Sequence, residues 1–272
     1  MSKKNFLKLN FSKEHEKFLR IKRKSSLKIT LIRLSLILFF IIFWELSAKF
    51  SLVDEFLVSS PSRIFFTISN LAITGKLFED IGVTLLETIV GFILGTLLGI
   101  IFAVIIWWSD FVRKIIEPAL IVLNALPKVA LGPIIIVWIG ANVRSIIVMA
   151  LLVSVIISII NIVDSFKNTD KEKILLMKSF GASKYQILTK LILPASFSVL
   201  ICTLKINIGM SLIGVITGEF LVASKGIGYL IVYGGQTFKL DLVMAGIVIL
   251  SIIASSMYLC VVKLEKALIK RR

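Results

Sequence analysis

The segment Thr169 to Pro194, TDKEKILLMKSFGASKYQILTKLILP, is a polar interruption in an oily chain, and its internal punctuation reads as helix, turn, helix. Thr169 with Glu172, and Ser183 with Gln186, both have the Ser/Thr-x-x-Glu/Gln spacing of a capping box, in which each side chain satisfies the other residue's backbone amide. Gly181 falls where the first helix needs a left-handed closing residue. Pro194 is expected to stop the second run and open the next helix. Ile174, Leu175, Leu176, Met177 and Phe180 carry more apolar surface than two short helices can bury against each other, so a partner surface is implied. The segment reads as a docking element.

Around it the chain is built for a bilayer. Of its 272 residues, 57% are hydrophobic and 18% charged, and the mean hydropathy is +0.98, far from the balance of a soluble domain. Runs of roughly 20 apolar residues, enough to cross about 30 Å of hydrocarbon as helices, fall near 29–48, 83–107, 116–140, 145–163, 195–220 and 241–262. The predicted fold is all-α, a polytopic membrane helix bundle of about six spans. A basic leader (1–28), a transmembrane domain (29–262) with a polar loop at 164–193, and a basic tail (263–272) organise it. The first span is expected to stay as an anchor, because 28 residues precede it and no small-residue cleavage pattern follows.

The net charge of +16 is read as topology rather than nucleic-acid binding, because cations are retained on the cytoplasmic side of membranes. If 1–33, 108–115, 164–193 and the tail lie inside, they hold 24 of the 32 Lys and Arg, and the outer segments hold 6. Both termini and the docking segment are then cytoplasmic. The leader mixes cations with Phe, Leu and Ile, which fits either an interfacial helix on an anionic leaflet or a plain positive-inside signal.

Little points to catalysis. His15 is the single histidine and lies in the leader, which removes His-centred triads and histidine metal sites. Cys202 and Cys260 fall inside spans with no metal or redox spacing and are expected as small core residues. No GxxxxGK[ST] loop is present to cradle nucleotide phosphates. No catalytic or metal-ligating residue and no cofactor is therefore assigned.

Within the spans, Gly91, Gly95 and Gly99 recur every four residues and Ala103 continues the row, a stripe that lets helices approach closely inside one subunit or between two. The third span carries Pro118, Pro127 and Pro133 with Asn124 and Lys128 between them, so a kinked or broken helix follows, either lining a pathway or serving packing. Glu45, Glu87, Lys128, Lys205 and Glu219 are ionisable groups at membrane depth and pathway candidates by default. Glu45 and Glu219 are expected near the outer interface, and Lys205 is expected to snorkel inward. No relay of Asp, Glu and His of the kind a proton-driven carrier uses is present.

The loop resembles the conserved cytoplasmic loop of binding-protein-dependent ABC importer permeases, which reads EAA, three residues, Gly, nine residues, Ile-x-Leu-Pro. Here Gly181 is followed by Ala182 to Lys190 and then Leu191-Ile192-Leu193-Pro194, while Leu175-Leu176-Met177 replaces EAA. Ser60-Pro61-Ser62, TLLETIVGF at 84–92, LPKVALGPIIIVWIG at 126–140 and GEFLVASKGIGYLI at 218–231 are similar to the aliphatic-sulfonate, taurine and nitrate group. Relatives that import the pyrimidine precursor of thiamine look similar as well. Glu87 stands where many relatives have Arg, so no role of that arginine transfers.

The resemblance implies a type I ABC importer permease fold with cytoplasmic coupling helices, in a bacterial plasma membrane. It further implies two ATPase subunits holding ATP and Mg, a second permease copy or paralogue, and an extracytoplasmic solute-binding protein. Ile174, Leu175, Leu176, Met177, Phe180, Gly181, Ala182, Ser183, Gln186 and Pro194 would contact or shape the ATPase interface. Asn124, Lys128 and Thr217 are the pathway candidates. Two other classes stay open: an ATP-independent channel or secondary carrier, and a membrane-anchored regulator whose hairpin binds DNA. The apolar run Ile174 to Met177 argues against the second.

Overall fold

The computed structural model describes residues 13–269, and the described residues are helical with no strand. The elements are α1 (Lys13–Lys49), α2 (Glu55–Val58), α3 (Pro61–Ile73), α4 (Lys76–Trp108), α5 (Asp110–Ala125), a 3-10 turn (Lys128–Leu131), α6 (Gly132–Ile139), α7 (Val143–Lys167), α8 (Lys171–Ser179), α9 (Lys184–Ile187), a π turn (Leu188–Ile192), α10 (Leu193–Ala195), α11 (Phe197–Val222), α12 (Ile227–Gln236) and α13 (Leu240–Ile269). The chain divides into two compact units, Met1–Arg63 and Ile64–Arg272.

In the first unit α1 is one uninterrupted helix, so the described part of the basic leader continues directly into the first span. Residues 1–12 of the leader and 270–272 of the tail lie outside the described residues. After α1, Trp44 Nε1 donates to the Ser59 carbonyl at 3.2 Å. The Glu45 carboxylate accepts from the Ser62 amide at 3.0 Å and from Ser62 Oγ at 2.8 Å. Glu45 therefore binds the Ser60-Pro61-Ser62 turn, which anchors the segment that follows the span.

In the second unit α7 is the central post, with α4 and α11 packed along it and α12 and α13 packed on α11. Five helices are long and apolar enough to span a membrane: residues 28–49, 76–108, 143–167, 197–222 and 240–267. The expected third span is not one kinked helix from 116 to 140. Its helix begins at Asp110, where Ser109 Oγ accepts from the Val112 amide, and it breaks after Ala125 with a bend of 91° between its halves. Leu126 is forced into extended backbone, φ −65° and ψ 137°, by the Pro127 ring that follows it. Pro133 then sits in the first turn of α6, where its missing amide costs nothing. Pro118 is carried inside α5.

Two apolar clusters fix the ends of this unit. One gathers Ala103, Ile106, Ile162, Phe166, Ile187 and Ile192, and the other Leu77, Ile227, Leu230, Ile249 and Ile253, with Ile68 and Leu71 of α3 against it. Cys202 and Cys260 are exposed on the chain's surface, contrary to the expected core positions, because α11 and α13 turn those residues away from α7 and α4. Lys205 does not snorkel: it forms an ion pair with Glu265 of α13 at 2.6 Å.

Candidate functional site

The hairpin is built by caps. Asp170, one residue after the expected Thr169, is the N-cap of α8 and accepts from the Glu172 amide at 2.9 Å. The Thr169 hydroxyl is turned back onto the Ser165 carbonyl of α7, which frees the neighbouring carboxylate to cap. The second box is complete: Ser183 Oγ accepts from the Gln186 amide at 3.3 Å, and Gln186 Oε1 accepts from the Ser183 amide at 2.8 Å. Between them Gly181 has φ +75°. Its amide donates to Lys178 O at 2.9 Å and that of Ala182 to Met177 O at 3.0 Å, the paired bonds of a Schellman closure. No atom lies within 4 Å of where a Cβ on Gly181 would sit, so glycine is required there by dihedral angle and not by space. Pro194 does not end the second run. The helix passes through the π turn, where the Leu193 amide reaches back to Leu188 O, and it breaks only near Ser196. That wider turn removes the clash a proline imposes on a regular helix.

The hairpin has two apolar faces. Ile174, Met177 and Ala182 join buried Ile187 and Leu188 in the cluster around Phe166 and Ile106. Leu175, Leu176, Phe180 and Tyr185 point outward, Phe180 with 81% of its surface exposed. Lys184 clamps the hairpin to the end of α4, donating to the Trp108 carbonyl at 2.5 Å and lying 5.8 Å from the Trp108 ring and 5.9 Å from that of Trp107. The 76-residue separation of that contact leaves no local signal in the sequence.

The pathway candidates are only partly brought together. Lys128 Nζ donates to the Asn124 carbonyl at 3.0 Å and to Asn124 Oδ1 at 3.3 Å, bridging the break between α5 and α6. Thr217 lies apart from this pair, exposed on α11, its hydroxyl bonded to Ile213 O at 2.8 Å. Gly91, Gly95 and Gly99 face Ala150, Ser154 and Ser158 of α7, so close that a Cβ at Gly95 would overlap Ser154 Oγ. Beside this seam, buried Asn207 of α11 donates to Thr96 Oγ1 at 2.9 Å and to Ser158 Oγ at 2.6 Å, joining three helices.

At the opposite end of α4 from the hairpin, Asp80, Thr84, Glu87 and Glu219 are all buried. Glu219 is thus not interfacial. Its Oε1 accepts from Thr84 Oγ1 at 2.7 Å and its Oε2 from the Gly228 amide at 2.5 Å. Asp80 Oδ1 accepts from the Gly226 amide at 2.8 Å, and Thr84 Oγ1 from that of Ile227 at 2.9 Å. Together these groups satisfy the unpaired amides that open α12. Exposed Lys225 pairs with Glu79, whose hydrogen bond and charge hold the ammonium above the usual lysine range.

A bundle with a broken span, polar seams at membrane depth and a capped hairpin offering a bare apolar face defines a polytopic membrane permease. The chain belongs to the family of inner membrane components of binding-protein-dependent transport systems, whose profile matches residues 95–272. It is 29% identical over 218 residues to a probable ABC transporter permease protein of Haemophilus influenzae, spanning 79% of this chain and 87% of that protein. It is 28% identical over 235 residues to the formylaminopyrimidine transport permease protein ThiX of Halalkalibacterium halodurans, spanning 86% and 93%. The taurine transport system permease protein TauC of Escherichia coli is 23% identical over 247 residues, 89% and 90% of the two chains. A chain of the MetNI methionine ABC transporter in an inward-facing conformation superposes with a TM-score of 0.61 at 16% identity, over 68% of this chain and 92% of that one. The fold is that of a type I ABC importer permease.

Proposed function

We propose that this chain is the membrane-spanning subunit of an ATP-driven importer of a small solute in a bacterial plasma membrane, acting as a non-enzymatic partner of separate ATPase subunits. The observation that carries the reading is the hairpin's division of faces. Ile174, Met177 and Ala182 fasten it to the bundle, while Leu175, Leu176 and Phe180 remain uncovered. An exposed apolar surface on a rigid, twice-capped lever is the form a moving cytoplasmic subunit can grip.

ATP binding on the partner closes a pair of ATPases, the hairpins of two permease copies move with them, and the bundles switch the side on which the pathway opens. The clamp between Lys184 and Trp108 transmits that movement to α4, and Lys167, paired with Glu117 at 2.9 Å, ties α7 to α5. Solute arrives from an extracytoplasmic binding protein and passes the broken span carrying Asn124 and Lys128. Residues 29–262 form the permease domain, and both termini lie on the cytoplasmic side. ATP and Mg belong to the partner.

The solute class follows the relatives: an organic sulfonate, taurine or a nitrate-like anion. A thiamine pyrimidine precursor is the second reading, supported by the extent of similarity to ThiX. The test is mass spectrometry of proteins retained by the tagged permease in mild detergent, wild type against Phe180→Asp. A stoichiometric ATPase that is lost with the variant supports the reading. A folded wild-type permease that retains no ATPase points instead to an ATP-independent carrier or channel.

A further inference from the structure

Where α4, α7 and α11 converge beside Lys225, a cavity of about 200 Å³ is lined by Glu87, Asn142, Ile146, Ala223, Ser224 and Lys225. Glu87 is 1% exposed, and its Oε2 accepts no hydrogen bond from any described residue. The neighbouring polar groups have partners. Glu219 takes the Thr84 hydroxyl and the Gly228 amide, Thr84 takes the Ile227 amide, and Asp80 Oδ1 takes the Gly226 amide. Asn142 spends its oxygen on the Arg144 amide and its nitrogen on the Ile139 carbonyl, and Lys225 is held by Glu79. Glu87 is thus the spare acceptor of this cavity, and a buried acceptor left without a donor is a feature that calls for one from outside the chain.

We propose that this cavity is a solute subsite in which Glu87 accepts a hydrogen bond from an N–H group, so that the imported solute carries an amino or ring N–H donor. The proposal rests on the importer reading above and narrows its solute class. A bare anion such as nitrate, or a simple alkylsulfonate, has no donor to offer Glu87 and would approach three buried acidic side chains, Asp80, Glu87 and Glu219, from the side where it is repelled. The space equals that of about six or seven waters at roughly 30 Å³ each, which admits the donor end of a small solute. Sites built around one committed polar group discriminate strongly against analogues that lack its partner.

The test is equilibrium binding of labelled taurine, formylaminopyrimidine and ethanesulfonate to the permease–ATPase complex in nanodiscs, without binding protein. The subsite requires that at least one N–H-bearing probe binds and that ethanesulfonate binds at least about tenfold more weakly. Glu87→Leu should weaken the bound probe by about tenfold or more. Glu87→Gln, which retains an acceptor oxygen, should stay within about threefold. Ser224→Leu fills the same cavity without touching Glu87, and it should also weaken binding, so the idea can be judged even if Glu87→Leu fails to fold. Failure of both N–H probes to bind, equal binding of ethanesulfonate, or wild-type affinity in both Leu variants overturns the subsite. Failure of the importer reading is seen separately, as absence of an ATPase in the complex.

Discussion

A single amide, Asn207, ties α11 to both α4 and α7 through Thr96 and Ser158. Asn207→Leu keeps the volume but leaves two buried hydroxyls without their donor, so the detergent-solubilised protein should lose about 1–3 kcal/mol, read as a lower midpoint of thermal unfolding. The glycine row makes a different claim, about distance. Gly95→Ala drives a methyl into Ser154 Oγ and should cost about 1–3 kcal/mol by overpacking. Adding Ser154→Ala removes the offending oxygen, and the double variant should recover most of the loss. If the two substitutions are additive instead, the contact between α4 and α7 is not the close one described. The glycine stripe was legible because a four-residue period needs no knowledge of the partner. The facing stripe of Ala150, Ser154 and Ser158 has the same period, and the same rule could have found it. Glu219 was not legible. Its burial depends on Thr84, 135 residues away, and hydropathy alone places a glutamate near a span end at the interface.

At the scale of elements, the hairpin was legible because caps are local chemistry: Ser183, Gln186 and Gly181 determine their own hydrogen bonds within a few residues. The shift from Thr169 to Asp170 has a tertiary cause, since adjacent residues could both cap and α7 claims the threonine hydroxyl. The 91° break was legible as an interruption, from its prolines, but its angle and the start at Asp110 depend on the turn at Ser109. The closing turn carries the sharpest expectation. Gly181→Ala should cost about 1–2 kcal/mol, because φ +75° places an L side chain in the left-handed region, and Gly181→Val should cost more. Since open space surrounds the position, the cost is one of backbone angle, which reorients α8 against α9 while leaving the bundle core intact. ATP hydrolysis by the complex should then persist while uptake falls, a split measured in proteoliposomes. Uptake at the wild-type rate in Gly181→Val would count heavily against the hairpin as a lever. Phe180→Asp should behave oppositely, with unchanged thermal stability but loss of the ATPase in co-purification, because the ring is exposed and stabilises only a partner.

For the whole molecule, the broken pair decides topology by parity. Five helices are long enough to span, and α5 with the stretch from Lys128 to Ile139 makes either a sixth crossing or a re-entrant loop. With six crossings the chain returns to its starting side, and the loop 164–193 shares that side with both termini. With a re-entrant pair, the side of every later segment inverts, and the loop and the tail carry their eleven Lys and Arg to the outer face. Retention of cations on the cytoplasmic side opposes that arrangement, and so does the hairpin, whose apolar face would then meet no ATPase. The prediction is that cysteines introduced at Ser179 and at Lys263, in a variant without Cys202 and Cys260, resist a membrane-impermeant maleimide in intact cells and react after permeabilisation. A cysteine at Phe238, in the exposed turn between α12 and α13, should react in intact cells. The reverse pattern at all three positions would make the broken pair re-entrant and move the hairpin to the outer side, and the coupling reading would fall with it.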